Sequence, residues 1–148
     1  MALSNFQIDK VLKKHKPNLF HGVFAYDTFD PKFCPYTPIA IVVNTIPLRI
    51  KDGGHWVVLY IDSKNNGIFF DSVGLQPWGK FRMFFNFHAD TTVFNTLILQ
   101  TNNYSCGQHC VFFVIYISKV KNLRKLLNLY TFYDNADEMV NLFYKRIV

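Results

Sequence analysis

The sequence predicts a single α+β domain, residues 1–148, in which a central, mostly antiparallel sheet packs against one buried helix. Half of the 148 residues are hydrophobic, which suffices for one core without disulfides or metals. Runs rich in β-branched and aromatic residues alternate with turn residues between positions 39 and 71. The stretch Cys106–Ile117 is apolar almost all round, as expected of a helix buried in that core.

The N-terminal part begins with a helix. Ser4 and Gln7 form a capping box ahead of apolar residues at helical spacing, and the predicted helix ends near Pro17. Residues 18–38 hold one glycine and three prolines among aromatic residues, a composition that interrupts both helical and strand periods. We therefore expect an irregular but packed connection there.

The middle of the chain predicts three strands. Ile39–Val43 is a buried strand by its β-branched content. His55–Asp62 and Gly67–Asp71 flank a turn-rich segment, residues 63–66, and predict an antiparallel hairpin. The first residue of such a hairpin lies near its last, so the imidazole and the carboxylate at its two ends should meet at one edge of the sheet.

The C-terminal half is mostly helical. Aromatic residues at helical intervals in Trp78–Phe87 favour a helix, with a strand as the alternative, and Val93–Leu99 predicts a further strand. After the helix that begins at the second cysteine come a leucine-rich stretch, Leu123–Leu129, and a last amphipathic helix with Asp134 or Asn135 as its cap.

Composition bounds the environment of the protein. Three cysteines without framework spacing argue against a disulfide-stapled secreted fold and favour a reducing, intracellular one. The N-terminus lacks the pattern of a signal peptide, and the longest apolar run, Val111–Ile117, is too short to span a membrane. We expect a soluble protein without membrane contact.

The net charge of +6 and the pI near 9.3 imply attraction to nucleic acid or other polyanions. The two basic clusters, Lys10–Lys16 and Lys119–Lys125, are each more typical of a solvated helix face than of a sequence-reading element. Any DNA binding should therefore be nonspecific and strongly dependent on salt.

The chemistry-bearing residues lie at the ends of these elements. Cys106 begins a helix, where the dipole and unpaired N–H groups favour a thiolate and hold an oxyanion. His55 is a candidate base and Asp71 a candidate group to orient it. Gln100 ends the strand before the cysteine loop, where its side-chain amide is placed to join the oxyanion donors.

The alternatives are structural. Cys106 read alone is an inert core thiol, and Cys110, one turn along the same face, is structural. A zinc site on Cys106, His109 and Cys110 would need a fourth ligand that the sequence does not offer, so we predict no metal. Asp62 is a rival of Asp71, but by strand rise it lies about 20 Å from the histidine at the other end of its strand.

Three motifs occur in a fixed order: Gly54-His55-Trp56, Asp71-Ser72-Val73-Gly74, and Gln100 followed after five residues by Cys106-Gly107. This pattern resembles the adenovirus protease (adenain) family of cysteine proteases and the wider clan that includes the ubiquitin-like-protein-specific proteases. The likeness extends over about residues 5 to 118. It includes the upstream segments Phe20-His21-Gly22, Tyr26-Asp27, Ile41–Thr45 and Gly53-Gly54.

The resemblance implies a papain-like/adenain-like fold and a role for each matching residue. The catalytic set would be His55 as general base, Asp71 as its orienting group, Gln100 in the oxyanion hole and Cys106 as nucleophile. Asn44, Gly54 and Trp56 match positions beside the substrate cleft. Substrates of the family carry glycine at or next to the scissile bond, and Gly53 and Gly54 would permit close approach of their backbone.

Some family features have no counterpart here. Adenain is activated by DNA and by a peptide disulfide-linked upstream of its nucleophile, but residues 72–99 contain no cysteine to anchor such a peptide. The chain after the nucleophile helix is also shorter than in adenain. We expect a minimal relative from a virus or virus-like mobile element, located in the host nucleus or the virion, with no cofactor required by its sequence.

Three functions remain open. The first is an endopeptidase that matures capsid or core precursors by cleavage near glycine. The second is a deubiquitinating or desumoylating isopeptidase of the same fold. The third is a non-catalytic, basic nucleic-acid-binding module, which the charge favours and the four intact site residues oppose.

Overall fold

The computed structural model describes residues 1–50 and 54–148. Helices alternate irregularly with strands, as expected of an α+β domain. The described helices are α1 (Asn5–His15), α2 (Gly79–His88), α3 (Cys106–Val120), α4 (Leu123–Tyr130) and α5 (Ala136–Ile147). The described strands are β1 (Phe20–Ala25), β2 (Ile39–Asn44), β3 (Trp56–Ile61), β4 (Asn66–Phe70) and β5 (Thr91–Phe94).

The five strands form one mixed sheet in the order β1-β2-β3-β4-β5. The three central strands are antiparallel to one another, as predicted, whereas β1 pairs parallel with β2 and β5 pairs parallel with β4. The sheet is therefore antiparallel at its centre and parallel at both edges. Its parallel edges arise because a crossover rather than a hairpin turn connects each edge strand to its neighbour: residues 26–38 lie between β1 and β2, and α2 lies between β4 and β5.

Alternating side chains of the sheet build two cores. On β2, Ala40 and Val42 face the core that contains α1, α3, α4 and α5. Ile39, Ile41 and Val43 face the other side, where they share a core with the phenylalanines of α2. Helix α3 is therefore covered by the sheet and by three further helices, which explains its almost continuous apolar sequence.

Several predicted elements are confirmed. The Ser4–Gln7 capping box forms with both of its hydrogen bonds, and α3 begins at Cys106. The aromatic segment after Pro77 is a helix rather than a strand. The cap of α5 is Asn135, whose side chain accepts a hydrogen bond from the Glu138 N–H at 3.0 Å.

Two predictions were wrong. The connection over residues 18–38 contains β1. Buried and half-buried residues do not alternate strictly along this strand, because its register with β2 shifts between Phe20 and Gly22. The last strand is Thr91–Phe94 and does not extend to Leu99. The chain leaves the sheet at Asn95, whose side-chain amide forms hydrogen bonds with both the N–H and the carbonyl of Asp71.

Among the described residues, none of the helices is long and apolar enough to cross a membrane.

Candidate active site

Cys106 is the first residue of α3 and lies at the edge of the core, with 6% of its surface exposed. The preceding residue, Ser105, makes no side-chain capping bond to the helix; its hydroxyl instead accepts a hydrogen bond from Asn141 at 2.8 Å. Within the described chain, the first turn of α3 thus has no side-chain cap. Its N–H groups remain available to stabilise a negative charge beside the sulfur.

His55 and Asp71 meet at the same end of the β3–β4 hairpin, as the sequence predicted. The His55 Nε2 atom lies 2.6 Å from Asp71 Oδ1, which also accepts the Val73 N–H at 3.0 Å. The carboxylate is fully buried, and its backbone is held by Asn95. Because Oδ1 is held by the Val73 N–H and the Asp71 backbone by Asn95, the carboxylate fixes the ring orientation through Nε2, and Nδ1 is the ring nitrogen that Asp71 does not use.

The same imidazole interacts with Cys106. Burial alone would lower the pKa of His55, but the hydrogen bond to Asp71 and the influence of Cys106 and of the Asp71 charge outweigh it and raise the pKa to about 9. The side chain is 22% exposed, so protons can exchange with solvent. At neutral pH this geometry favours an imidazolium next to the sulfur, which is the partner that a thiolate requires.

Gln100 is buried and both ends of its amide are engaged. The Ser72 hydroxyl donates to Gln100 Oε1 at 2.6 Å, and Gln100 Nε2 donates to the Asn102 carbonyl at 2.8 Å. Since Oε1 is fixed as an acceptor, the orientation of the NH₂ group is fixed too, and one of its two N–H bonds is not used by Asn102. The Gln100 backbone N–H also donates to the Ser72 carbonyl at 3.0 Å, so Gln100 lies beside the residue that follows Asp71. Gln100 does not end a strand as predicted, because β5 already ends at Phe94.

A cleft of about 870 Å³ runs past Cys106. Its lining includes all three predicted substrate-binding residues, Asn44, Gly54 and Trp56. A Cβ atom built on Gly54 would lie 2.5 Å from Asn44 Oδ1, so any larger residue there would displace the Asn44 side-chain amide. Gly53, which was also expected to permit close approach of the substrate backbone, lies outside the described residues.

Known structures match this fold, although no protein-family model and no curated protein matches the sequence. A crystal structure of the ASFV pS273R protease aligns with a TM-score of 0.70 at 18% identity, over 99% of this chain and 67% of that one. A selenomethionine crystal structure of the same protease gives 0.62 at 17% identity, with the same coverage. This chain has the adenain-like cysteine protease fold. The SUMO protease Ulp1 aligns with a TM-score of 0.48 at 17% identity, over 97% of this chain and 79% of that one.

In this adenain-like fold the other two cysteines are poor nucleophiles. Burial raises the pKa of Cys110 well above its ordinary value. Burial also raises the pKa of Cys34, whose thiol donates a weak hydrogen bond to the Tyr36 carbonyl at 3.6 Å. Over residues 1–50 and 54–148, no group of three or more His, Cys, Asp or Glu side chains is arranged to hold a metal ion. The structure therefore distinguishes Cys106 from the other thiols by its neighbours.

Sequence reasoning missed the groups that support the site. Ser72 was noted only as part of a turn motif, yet its hydroxyl orients the Gln100 amide. Its position directly after the hairpin acid was the one available signal. Asn95 and Asp137 gave no sequence signal, because each acts on a residue at least 24 positions away.

Proposed function

We propose that this protein is a cysteine endopeptidase in which Cys106 is the nucleophile and His55 the general acid and base. The observation that carries the proposal is the position of one imidazole between a buried carboxylate at 2.6 Å and the cysteine that begins a buried helix. Acyl transfer by a thiol needs this arrangement, together with oxyanion donors and a groove for an extended peptide. The unpaired first turn of α3 and the cleft at Cys106 supply both.

The mechanism follows from these contacts. The Cys106 thiolate attacks the scissile carbonyl, and the resulting oxyanion is held by the N–H groups of α3 and the unused N–H of Gln100. The His55 imidazolium then gives its proton to the leaving amine, which departs and leaves an acyl-enzyme. Neutral His55 next takes a proton from water as the hydroxide attacks the acyl carbon, and the thiolate is released. Asp71 keeps the ring oriented throughout and stabilises its charged form.

The proposed substrate class rests on the family resemblance and on one feature of the cleft. The resemblance to adenain implies glycine at or next to the scissile bond, and Gly54, which has no side chain, would let a substrate backbone approach beside Asn44. A virus-encoded protease shares the fold, so viral capsid or core precursors are the substrates we propose. We propose that the enzyme acts in the infected host cell, in the nucleus or the virion.

Cleavage of a peptide library, followed by mass spectrometry, tests the proposal. We expect cuts next to glycine that depend on Cys106, with no cleavage by Cys106→Ser and unchanged cleavage by Cys34→Ser. A ubiquitin or SUMO substrate with a C-terminal Gly-Gly fluorophore, tested in parallel, separates the alternative isopeptidase function. Cleavage that persists in Cys106→Ser, or no cleavage of any peptide or conjugate, would refute the proposed enzymatic function.

DNA is a second proposed partner, and one contact favours it. The Lys16 ammonium group at the end of α1 donates to the Ser118 hydroxyl near the end of α3 at 2.9 Å. The two basic clusters of the sequence therefore lie at the same end of the molecule. Burial, followed by the positive charge of Lys119, lowers the pKa of Lys16. A shared basic end favours nonspecific binding to phosphates.

Repeating the library cleavage with and without duplex DNA tests the partner, and the same duplex labelled with a fluorophore gives its affinity. We expect an affinity that falls steeply with salt and no base preference; an affinity that does not change with salt would contradict the proposal. An activating peptide of the adenain kind would have to bind noncovalently, because residues 72–99 contain no cysteine.

A further inference from the structure

The carboxylate of Asp137, on the first turn of α5, lies against the loop that leads to the nucleophile. Asp137 is 4% exposed and its two oxygens accept four hydrogen bonds. Oδ2 accepts from the Thr101 N–H at 2.9 Å, the Thr101 hydroxyl at 2.8 Å and the Asn102 N–H at 2.9 Å. Oδ1 lies 2.8 Å from His109 Nε2. One side chain therefore fixes two consecutive loop residues to α5 and, through His109, to α3.

The loop residue Asn102 links this carboxylate to the oxyanion amide. Its N–H is held by Asp137, and its carbonyl accepts the hydrogen bond of Gln100 Nε2 at 2.8 Å. Its side chain also accepts the Tyr104 and Ser105 N–H groups at 3.1 and 2.9 Å, which folds the loop tightly onto the start of α3. Asn102 alone thus connects the buried Asp137 carboxylate with the Gln100 side-chain amide.

The charge state of the pair suits a permanent anchor. Burial lowers the pKa of His109, although Asp137 opposes this, so the ring is neutral at neutral pH. Burial would raise the pKa of Asp137, but the bonds from His109, Asn102 and Thr101 outweigh it and lower that pKa. The second ring nitrogen, His109 Nδ1, lies 3.0 Å from the Tyr130 hydroxyl. An ionised carboxylate that accepts hydrogen bonds at both oxygens holds its donors firmly.

We propose that Asp137 is a positioning residue for the oxyanion hole, which fixes the Gln100 side-chain amide through the Asn102 carbonyl. The inference rests on the proposed function for its catalytic meaning, and on the hydrogen-bond chain for its geometry. It assigns to α5 a role beyond packing. Loss of the carboxylate frees the loop and lets the Gln100 amide move, while the His55–Cys106 pair stays in place.

Steady-state hydrolysis of a glycine-containing peptide by Asp137→Ala tests this, measured beside the rate at which iodoacetamide alkylates Cys106. We expect kcat to fall about 10–100-fold with KM unchanged, because small misplacements of catalytic groups cost about that much. Alkylation needs the thiolate and no oxyanion hole, so its rate should be unchanged. Asp137→Asn, which keeps a neutral acceptor, should restore most of kcat. Glu138→Ala, an exposed acid in the same helical turn, should match the wild type.

A double-mutant cycle separates positioning from general loss of structure. If Asp137 acts through Gln100, Asp137→Ala should cost almost nothing more in a Gln100→Ala background. The proposal would be overturned if the kcat losses of the two single variants multiplied in the double variant. It would also be overturned if Asp137→Ala left kcat unchanged, or slowed alkylation as much as it lowered kcat. If the wild type cleaves no peptide, the proposed function fails. The NMR signals of the Gln100 side-chain amide then decide the positioning: they shift in Asp137→Ala but not in Glu138→Ala if Asp137 fixes this group, and stay unchanged in both if it does not.

Discussion

Within residues 1–50 and 54–148, two His–Asp pairs have nearly the same separation and opposite chemistry. His55 and Asp71 lie 2.6 Å apart at the rim of the sheet, and His109 and Asp137 lie 2.8 Å apart between α3 and α5. The first pair raises the pKa of its histidine to about 9, whereas burial lowers the pKa of the second histidine. The distance between imidazole and carboxylate therefore does not decide what such a pair does.

What differs is the third partner and the exposure of the ring. His55 is 22% exposed and has the Cys106 thiol as its other partner, so a proton can be gained, lost and passed on. His109 is fully buried against the Tyr130 hydroxyl, and its carboxylate also serves two loop residues. Catalysis needs a ring that can change its charge, and a structural anchor needs one that cannot.

The largest effect should come from His55→Gln. Without a general base and acid, kcat/KM for a glycine-containing peptide should fall by about 10²–10⁴-fold. Far-UV circular dichroism should show that the variant remains folded, although its unfolding midpoint should fall because the buried Asp71 carboxylate loses its imidazole partner. A variant that keeps most of its activity would show that this pair is as structural as the other.

Removing the charge of Asp71 should change the pH profile. The raised pKa of His55 means that the active protonated form is lost as pH rises through about 9. In Asp71→Asn the imidazolium loses its carboxylate, so this alkaline limb should move to lower pH when kcat/KM is measured across the range. Asp62→Asn, at the other end of β3, is the control and should leave the limb in place. Identical limbs in both variants would contradict the assignment.

The two histidines should affect stability with opposite signs. For His55, the folded pKa of about 9 exceeds the ordinary 6.5, so its contribution is present below 6.5 and lost as pH rises through about 9. For His109 the folded pKa lies below 6.5, so the unfolded chain binds the proton more readily and stability falls as pH drops below 6.5. Urea unfolding as a function of pH should show the alkaline slope reduced in His55→Gln. A slope that is unchanged in that variant would be inconsistent with a raised pKa.

The smallest effect should come from Tyr130→Phe. Loss of the hydroxyl removes one hydrogen bond from His109 and should reduce the free energy of unfolding by about 1–3 kcal/mol, because a buried nitrogen is left without a partner. Peptide hydrolysis should stay at the wild-type rate. A loss of kcat as large as in His55→Gln would remove the distinction between the pairs.

The sequence predicted the first pair and not the second for a physical reason. The antiparallel pairing of β3 and β4 dictates which residues share an edge, so local pattern brings His55 to Asp71. The second pair depends on how α5 packs against α3, which no period or turn residue encodes. The sequence pattern offered His109 as a candidate zinc ligand and did not connect it with Asp137. β1 was missed because its register with β2 is irregular.

The pH dependence of Cys106 alkylation by iodoacetamide, with sites assigned by mass spectrometry, tests the central claim most directly. Near pH 6, where ordinary thiols with a pKa of about 8.5 are protonated, we expect Cys106 alone to react, and to lose this reactivity in His55→Gln. Cys34 should lag because burial raises its pKa. Equal labelling of Cys34 and Cys106, insensitive to His55, would contradict the account.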